Sequence, residues 1–104
     1  MHSNVLNMIE LSQGTEEKIK KLFSPGLWSE VFTIIESECG DNLPFCENLD
    51  KHQLERIRFA VLKLSEGNLN NLKESVKFAQ TDWKDMLVAA GFGDDVHAHK
   101  RWKI

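Results

Sequence analysis

The chain has 104 residues, with 13 Lys and Arg against 16 Asp and Glu, so its formal net charge is -3 when the four His are neutral. This length suits one domain built around one hydrophobic core. A sequence pI of about 5.8 argues against a protein that binds nucleic acid or anionic membranes mainly through a positive field.

Hydrophobic spacing predicts helices along almost the whole chain, because no stretch alternates apolar and polar residues for long. Residues 1–14 are predicted to form a frayed helix or an arm that ends at its final glycine. Thr15 is the predicted N-cap of the next helix, which ends before Pro25. Ser24 and that proline then open a helix that Gly40 ends. Its core-facing residues follow the i, i+3, i+4, i+7 spacing: Trp28, Val31, Phe32 and Ile35.

The middle of the chain has the strongest helical pattern. Asp50 and Gln53 form an Asp-x-x-Gln variant of the capping box, which predicts a central helix that runs to Ser65. Gly67 ends this helix and Asn68 caps the following one. The connecting turn is short, so we expect the two helices to form an antiparallel hairpin.

Two further helices are predicted in the C-terminal part. Thr81 caps the first, which Gly91 closes. The second starts near Gly93 and runs through Trp102. The pattern predicts an all-α fold, a compact bundle of five or six helices without a sheet, in a single domain with its helical core over residues 15–104.

The two halves of the chain differ in charge. Residues 1–49 hold 3 basic and 8 acidic groups, net -5, whereas residues 50–104 hold 10 basic and 8 acidic groups, net +2. The halves are therefore expected to complement each other within the fold or across a dimer.

The cellular compartment is inferred from the apolar segments and the cysteines. The longest purely apolar run, Met86 to Ala90, has five residues, far below the ~20 needed to cross a bilayer. The first residues also lack the charged and apolar regions of a signal peptide. Cys39 and Cys46 are too few for a disulfide-stapled secreted domain, although a bridge between them is geometrically feasible. We therefore expect a cytoplasmic protein with free thiols.

Two histidines and two cysteines raise the question of a metal site. His97 and His99 are separated by one residue, so they point about 200° apart on a helix and cannot both ligate one ion there. The expected arrangement is His99 at the edge of the core and His97 in solvent. A metal site assembled from these histidines with Cys39 or Cys46 is the alternative. The sequence predicts no metal and no cofactor.

No nucleophile motif and no Gly-rich phosphate loop occurs, so no catalytic residue is predicted. Asp82 and Asp85 lie three positions apart, on one helical face. Arg58 lies at the edge of the central apolar stripe, where its guanidinium must reach solvent or pair with a carboxylate. A structural ion pair is expected. The alternative is a small-molecule site or enzyme in which Arg58 binds an anionic ligand and Asp82, Asp85 or His97 handles protons.

Aromatic residues in the C-terminal part suggest either core packing or an interface. Trp83 and Trp102 flank Phe92, which lies in a short Gly-Phe-Gly segment that can present it outward. Tryptophan and arginine dominate the binding energy of protein interfaces. Phe45 and Cys46 lie in a non-helical loop and are expected to tuck beneath it.

Binding of nucleic acid is a further alternative. The central hairpin has the outline of a helix-turn-helix, but its second helix offers only Lys73 and Lys77. Weak binding would require the C-terminal Lys100, Arg101 and Lys103 to join them on one face.

Three segments resemble a group of small bacterial proteins of about this length. They are LERIRFAVLKLSEGNL, residues 54–69, TDWKDMLVAAGFGDDVHAHKRW, residues 81–102, and ECGDNLPFCENLD, residues 38–50. The resemblance implies a bacterial cytoplasmic protein and brings no activity or catalytic residue with it. The leading functional hypothesis is therefore a non-enzymatic interaction or regulatory module. Its partner is an unknown protein or a second copy of the chain.

Overall fold

The computed structural model describes residues 11–40, residue 43 and residues 51–104. These residues contain five α-helices and no strand, which confirms the predicted all-α class. The helices are α1 (Gln13–Leu22), α2 (Trp28–Glu38), α3 (Lys51–Ser65), α4 (Leu69–Ala89) and α5 (Ala98–Arg101).

Helix α1 begins before the predicted cap. The Ser12 hydroxyl accepts a hydrogen bond from the Thr15 backbone N–H at 3.1 Å, so Ser12 is the N-cap. The prediction that Thr15 is the N-cap was wrong. Its side chain is fully buried inside the first turn, where its hydroxyl lies 2.9 Å from the Ser12 hydroxyl. Gly14 lies in the first turn of α1 rather than at the end of an earlier helix. Residues 1–10 of the predicted arm lie outside the described residues.

A 3₁₀ turn, Pro25–Leu27, replaces the predicted first turn of α2. Proline fixes its own φ, which suits this tight turn as well as an α-helix. The Trp28 indole N–H donates to the Phe23 carbonyl at 2.8 Å and thereby fixes α2 to the end of α1. Val31 and Ile35 are fully buried, as their spacing predicts.

Helix α3 lies at the centre of the fold. Nine of its 15 residues are buried, so neighbouring segments cover it on several sides. It ends at Ser65 as predicted, while Asp50 of the predicted capping box lies outside the described residues. Asn68 caps α4 by accepting the Asn71 backbone N–H at 2.9 Å.

The α3–α4 turn requires glycine at position 67. Gly67 has a φ of +77°, and a Cβ there would lie 2.5 Å from the Leu22 carbonyl oxygen. We expect Gly67→Ala to lower the free energy of unfolding by about 2–4 kcal/mol, through the left-handed backbone and the overlap with main chain. Gly91→Ala should lower the free energy of unfolding by only about 1 kcal/mol, the cost of placing alanine in a left-handed conformation. The added Cβ would meet only the flexible end of the Lys63 side chain.

The control for this series is Gly26→Ala, whose added Cβ meets nothing within 4 Å. This variant is expected to stay within about 0.5 kcal/mol of the parent protein in denaturant unfolding. Equal midpoints for the variants at positions 26 and 67 would contradict the turn geometry.

Helix α4 contains a kink where two helices were predicted. Asp82 has non-helical backbone angles, φ -157° and ψ 81°, and its Oδ1 accepts the Asp85 backbone N–H at 3.1 Å. Asp82 therefore caps the second half of α4, and the prediction of Thr81 as the cap was wrong. The Thr81 hydroxyl instead donates to the Lys77 carbonyl at 2.9 Å, within the first half.

The predicted C-terminal helix is shorter than expected. Gly91, with a φ of +83°, ends α4, but regular helix resumes only at Ala98. The intervening residues form a turn around Asp95. The Asp95 carboxylate accepts the His97 backbone N–H at 2.8 Å, and the Asp95 carbonyl accepts the Ala98 backbone N–H. Within the described ranges, no helix is long and apolar enough to cross a membrane.

Candidate functional site

The C-terminal segment docks on α3 through a cluster of rings. His99 is fully buried at its centre, with ring centroids 5.4 Å from Phe59 and 6.3 Å from Phe92. Trp102 is half-buried and lies 6.0 Å from Phe59. Phe92 is only 2% exposed, so it belongs to the core and does not point outward.

The His99 imidazole is buried without a hydrogen bond among the described residues to offset its loss of contact with water. Neither of its ring nitrogens has a hydrogen-bond partner among the described residues, and the nearest Glu55 carboxylate oxygen lies 3.8 Å from Nε2. Burial lowers the pKa of His99 to about 4, and the nearby His52 adds to the shift. His99 is therefore neutral at physiological pH.

The histidines and cysteines give no metal centre in the part of the chain that the structure describes. No group of three or more His, Cys, Asp or Glu is arranged there to hold an ion. His97 is exposed, as its spacing predicts, with its ring 5.1 Å from that of His52. Cys39 is fully buried, and burial raises the pKa of its thiol to about 12, so it is a poor nucleophile or ligand. Cys46 lies outside the described residues.

Arg58 has a structural role at the carboxyl end of α2. The side chain is 2% exposed, and its Nε donates to the Cys39 carbonyl at 2.8 Å. Its Nη2 donates more weakly to the Ile35 carbonyl at 3.5 Å. Arg58 thus satisfies the Cys39 carbonyl just beyond the last turn of α2 and adds a second donor to the Ile35 carbonyl, which also accepts the Cys39 backbone N–H at 3.1 Å. The expected partners Asp82 and Asp85 lie exposed on α4 instead.

An open groove lies between α3, the second half of α4 and the segment that follows it. Its volume is about 360 Å³. Trp83 is half-buried in its wall, and Val88 is 65% exposed beside it. We call this the Trp83 groove; its lining consists of Gln53, Arg56, Trp83, Lys84, Leu87, Val88 and Gly93.

The two charged residues in this lining are both cations. Arg56 is 7% exposed, and its Nη2 donates to the Phe92 carbonyl at 2.5 Å, while its Nε has no hydrogen-bond partner among the described residues. The Lys84 ammonium lies 5.7 Å from the centroid of the Trp83 ring. The Trp83 groove therefore favours a guest that is apolar and negatively charged.

A second cleft lies between α1, α3 and α5, with a volume of about 290 Å³. We call it the lysine cleft; it is lined by Lys18, Lys21 and Lys100 together with Gly14, Glu17, Glu55 and Phe59. The Lys18 ammonium donates to the Trp102 carbonyl at 2.7 Å and lies 4.9 Å from the centroid of that indole ring. This contact joins α1 to the end of the chain.

The sequence interpretation missed several of these residues. His52, Glu55 and Phe59 follow the 3 and 4 spacing of one helical face, and this signal was available in the sequence. Lys18 had no comparable signal, because it meets a carbonyl 84 positions away. Phe45 lies outside the described residues; Leu43, two positions before it, is only 3% exposed and belongs to the core.

Comparison with protein-family models, with curated proteins and with solved structures finds no match to this chain. The resemblance to small bacterial proteins therefore stays an expectation. The function is inferred from the geometry of the two clefts.

Proposed function

We propose that this protein is a non-enzymatic interaction module whose Trp83 groove binds an acidic, apolar segment of a partner protein. One observation supports this most directly. An indole, an exposed valine and two cations, Arg56 and Lys84, share the wall of one open groove.

The apolar part of the groove suits a side-chain anchor. Trp83 and Val88 retain accessible surface, while Leu87 beneath them is buried. Covering such surface stabilises a complex by about 25 cal/mol per Å² of apolar area removed from water, before the cost of association. Tryptophan and arginine are the residue types that most often dominate such interfaces.

The two cations of the groove favour a partner segment that carries negative charge. Arg56 is held in place by the Phe92 carbonyl, so its guanidinium is positioned before a partner arrives. A carboxylate beside it gains a charge-assisted hydrogen bond, and Lys84 adds a second positive charge. A basic partner segment would be repelled.

The enzyme alternative has less support. It needs Arg58 in a cavity with Asp82, Asp85 or His97, but Arg58 lines neither the Trp83 groove nor the lysine cleft. Asp82 is engaged as a helix cap. The nucleic-acid alternative is also weakened, because the Arg101 guanidinium pairs with the Asp95 carboxylate at 2.6 Å.

The test is selection from a displayed library of randomised peptides of about 15 residues, long enough to cover the groove as a helix. Enriched sequences should combine Trp, Phe or Leu with Asp and Glu. Their dissociation constants should fall near 1–100 µM, as for weak, small interfaces. Trp83→Ala should weaken binding by about tenfold or more, and Lys84→Glu by about fivefold.

Lys73→Glu is the matched control, because it makes the same charge change at an exposed position of α4 outside the groove. It should leave the affinity within about twofold. The proposal is overturned if no sequence is enriched, or if the enriched peptides bind the Trp83→Ala variant as tightly as the parent. If sedimentation shows a dimer of the parent protein and a monomer of the Trp83→Ala variant, the groove binds a second copy of the chain instead.

A further inference from the structure

The lysine cleft is separate from the Trp83 groove. Its cations come from α1 and α5, which contribute no residue to the Trp83 groove. It therefore needs its own explanation.

The acidic residues of the lysine cleft are already engaged with neutral donors. Glu55 accepts a hydrogen bond from the Ser12 hydroxyl at 2.5 Å, and Glu17 accepts one from the Gln13 amide at 3.3 Å. In the described part of the chain, neither carboxylate forms an ion pair with a lysine of the cleft.

Among the described residues, no lysine of the cleft forms an ion pair with a carboxylate. Lys18 donates to a carbonyl and stacks on rings, so its charge is not neutralised. Lys21 and Lys100 are exposed, and their side chains form no hydrogen bond or ion pair among the described residues. Three positive charges and two negative charges, those of Glu17 and Glu55, thus line one small cavity, which gives it a formal net charge of +1.

The electrostatic consequence is seen at Lys18. Its pKa lies below the ordinary value, first because of burial and next because of the positive charge of Lys21, while the negative charge of Glu17 raises the pKa by less and Lys103 lowers it further. A bound anion would relieve this repulsion.

We propose that the lysine cleft binds a small molecule that carries phosphate groups. Lysine ammonium groups bind phosphate as point charges, and one phosphate ester brings about 1.5–2 negative charges, more than a single carboxylate. The Phe59 ring lines the same cleft and provides an apolar wall for the organic part of the ligand. The volume of about 290 Å³ lies at the lower end for small-molecule sites, which favours a ligand of modest size.

The ligand would also link α1 to α5. Lys18 and Lys21 lie on α1, whereas Lys100 lies on α5. An anion that bridges them adds a link between these helices, so binding should raise the thermal midpoint as well as produce heat.

The test is calorimetric titration of the full chain with sodium pyrophosphate and with inorganic phosphate, against sodium chloride of equal ionic strength. Pyrophosphate should bind with a dissociation constant below about 1 mM, and phosphate more weakly. Lys21→Gln and Lys100→Gln should each weaken pyrophosphate binding by about fivefold or more. Both variants should fold, because these side chains have no partners to lose among the described residues.

Lys77→Gln is the control, since Lys77 is exposed on α4 and does not line the cleft. It should change the pyrophosphate affinity by less than about twofold. Equal weakening in all three variants, or no heat beyond the chloride control, would overturn the proposal. Tighter binding of citrate than of pyrophosphate would overturn the assignment to phosphate. Trp83→Ala should leave pyrophosphate binding unchanged. The phosphate proposal and the peptide-binding proposal for the Trp83 groove can therefore fail independently of each other.

Discussion

Arg58→Met should lower the free energy of unfolding by about 2–4 kcal/mol. The guanidinium is buried and donates to the Cys39 and Ile35 carbonyls at the end of α2. Methionine fills part of the volume but donates no hydrogen bond, so these carbonyls are left buried without this donor. Denaturant unfolding measures the change directly.

Arg101→Met is the matched control for this loss. Arg101 is also paired, with Asp95 at 2.6 Å, but its side chain is 66% exposed. Its replacement should cost less than about 1 kcal/mol. If Arg58 were a ligand-binding residue with no structural role, the two variants would unfold at similar denaturant concentrations.

Acidification should destabilise the protein through His99. Its pKa is about 4 in the folded chain, below the ordinary value of 6.5. The unfolded chain therefore takes up the proton first as the pH falls. The free energy of unfolding is not reduced by His99 above pH 6.5. It decreases as the pH falls from 6.5 to 4, and below pH 4 this decrease stops; the full loss is about 3 kcal/mol.

The measurement is the free energy of unfolding at several pH values for the parent protein, His99→Gln and His97→Gln. His99→Gln should flatten the decline between pH 6.5 and 4, since glutamine does not titrate there. His97→Gln should retain it, because His97 is exposed. The titratable and charged groups around His99 are His52, Glu55 and Arg56 on α3 and Lys100 on α5, and they are the same in both variants. A decline of equal depth in the His99 variant would contradict the account.

Local signals predicted the elements whose boundaries depend on nearby residues. The end of α3 at Ser65, the glycine at position 67 that follows it and the Asn68 cap all follow from residue types within one turn. The cap of the second half of α4 was predicted one residue too early, at Thr81, because threonine and aspartate are both good caps; the hydrogen bond from the Asp85 backbone N–H identifies Asp82.

Contacts between distant segments were harder to predict. The apolar stripe predicted that the Arg58 guanidinium reaches solvent or pairs with a carboxylate, but the side chain is buried and donates to a carbonyl 19 positions away that carries no sequence signature. The basic character of the lysine cleft depends on α1 meeting the end of the chain through Lys18 and Trp102. Such clefts follow from the packing of helices, which hydrophobic periodicity alone does not specify.

The most direct test of the Trp83 groove uses the three tryptophan indole resonances of the protein. A ¹⁵N-labelled sample is titrated with a peptide selected from the library and followed by two-dimensional NMR. The Trp83 indole signal should shift and saturate, while the Trp28 signal, held by the Phe23 carbonyl at 2.8 Å, should stay fixed. A bound peptide that shifts the Trp28 or Trp102 indole and leaves Trp83 unmoved would contradict the proposed function.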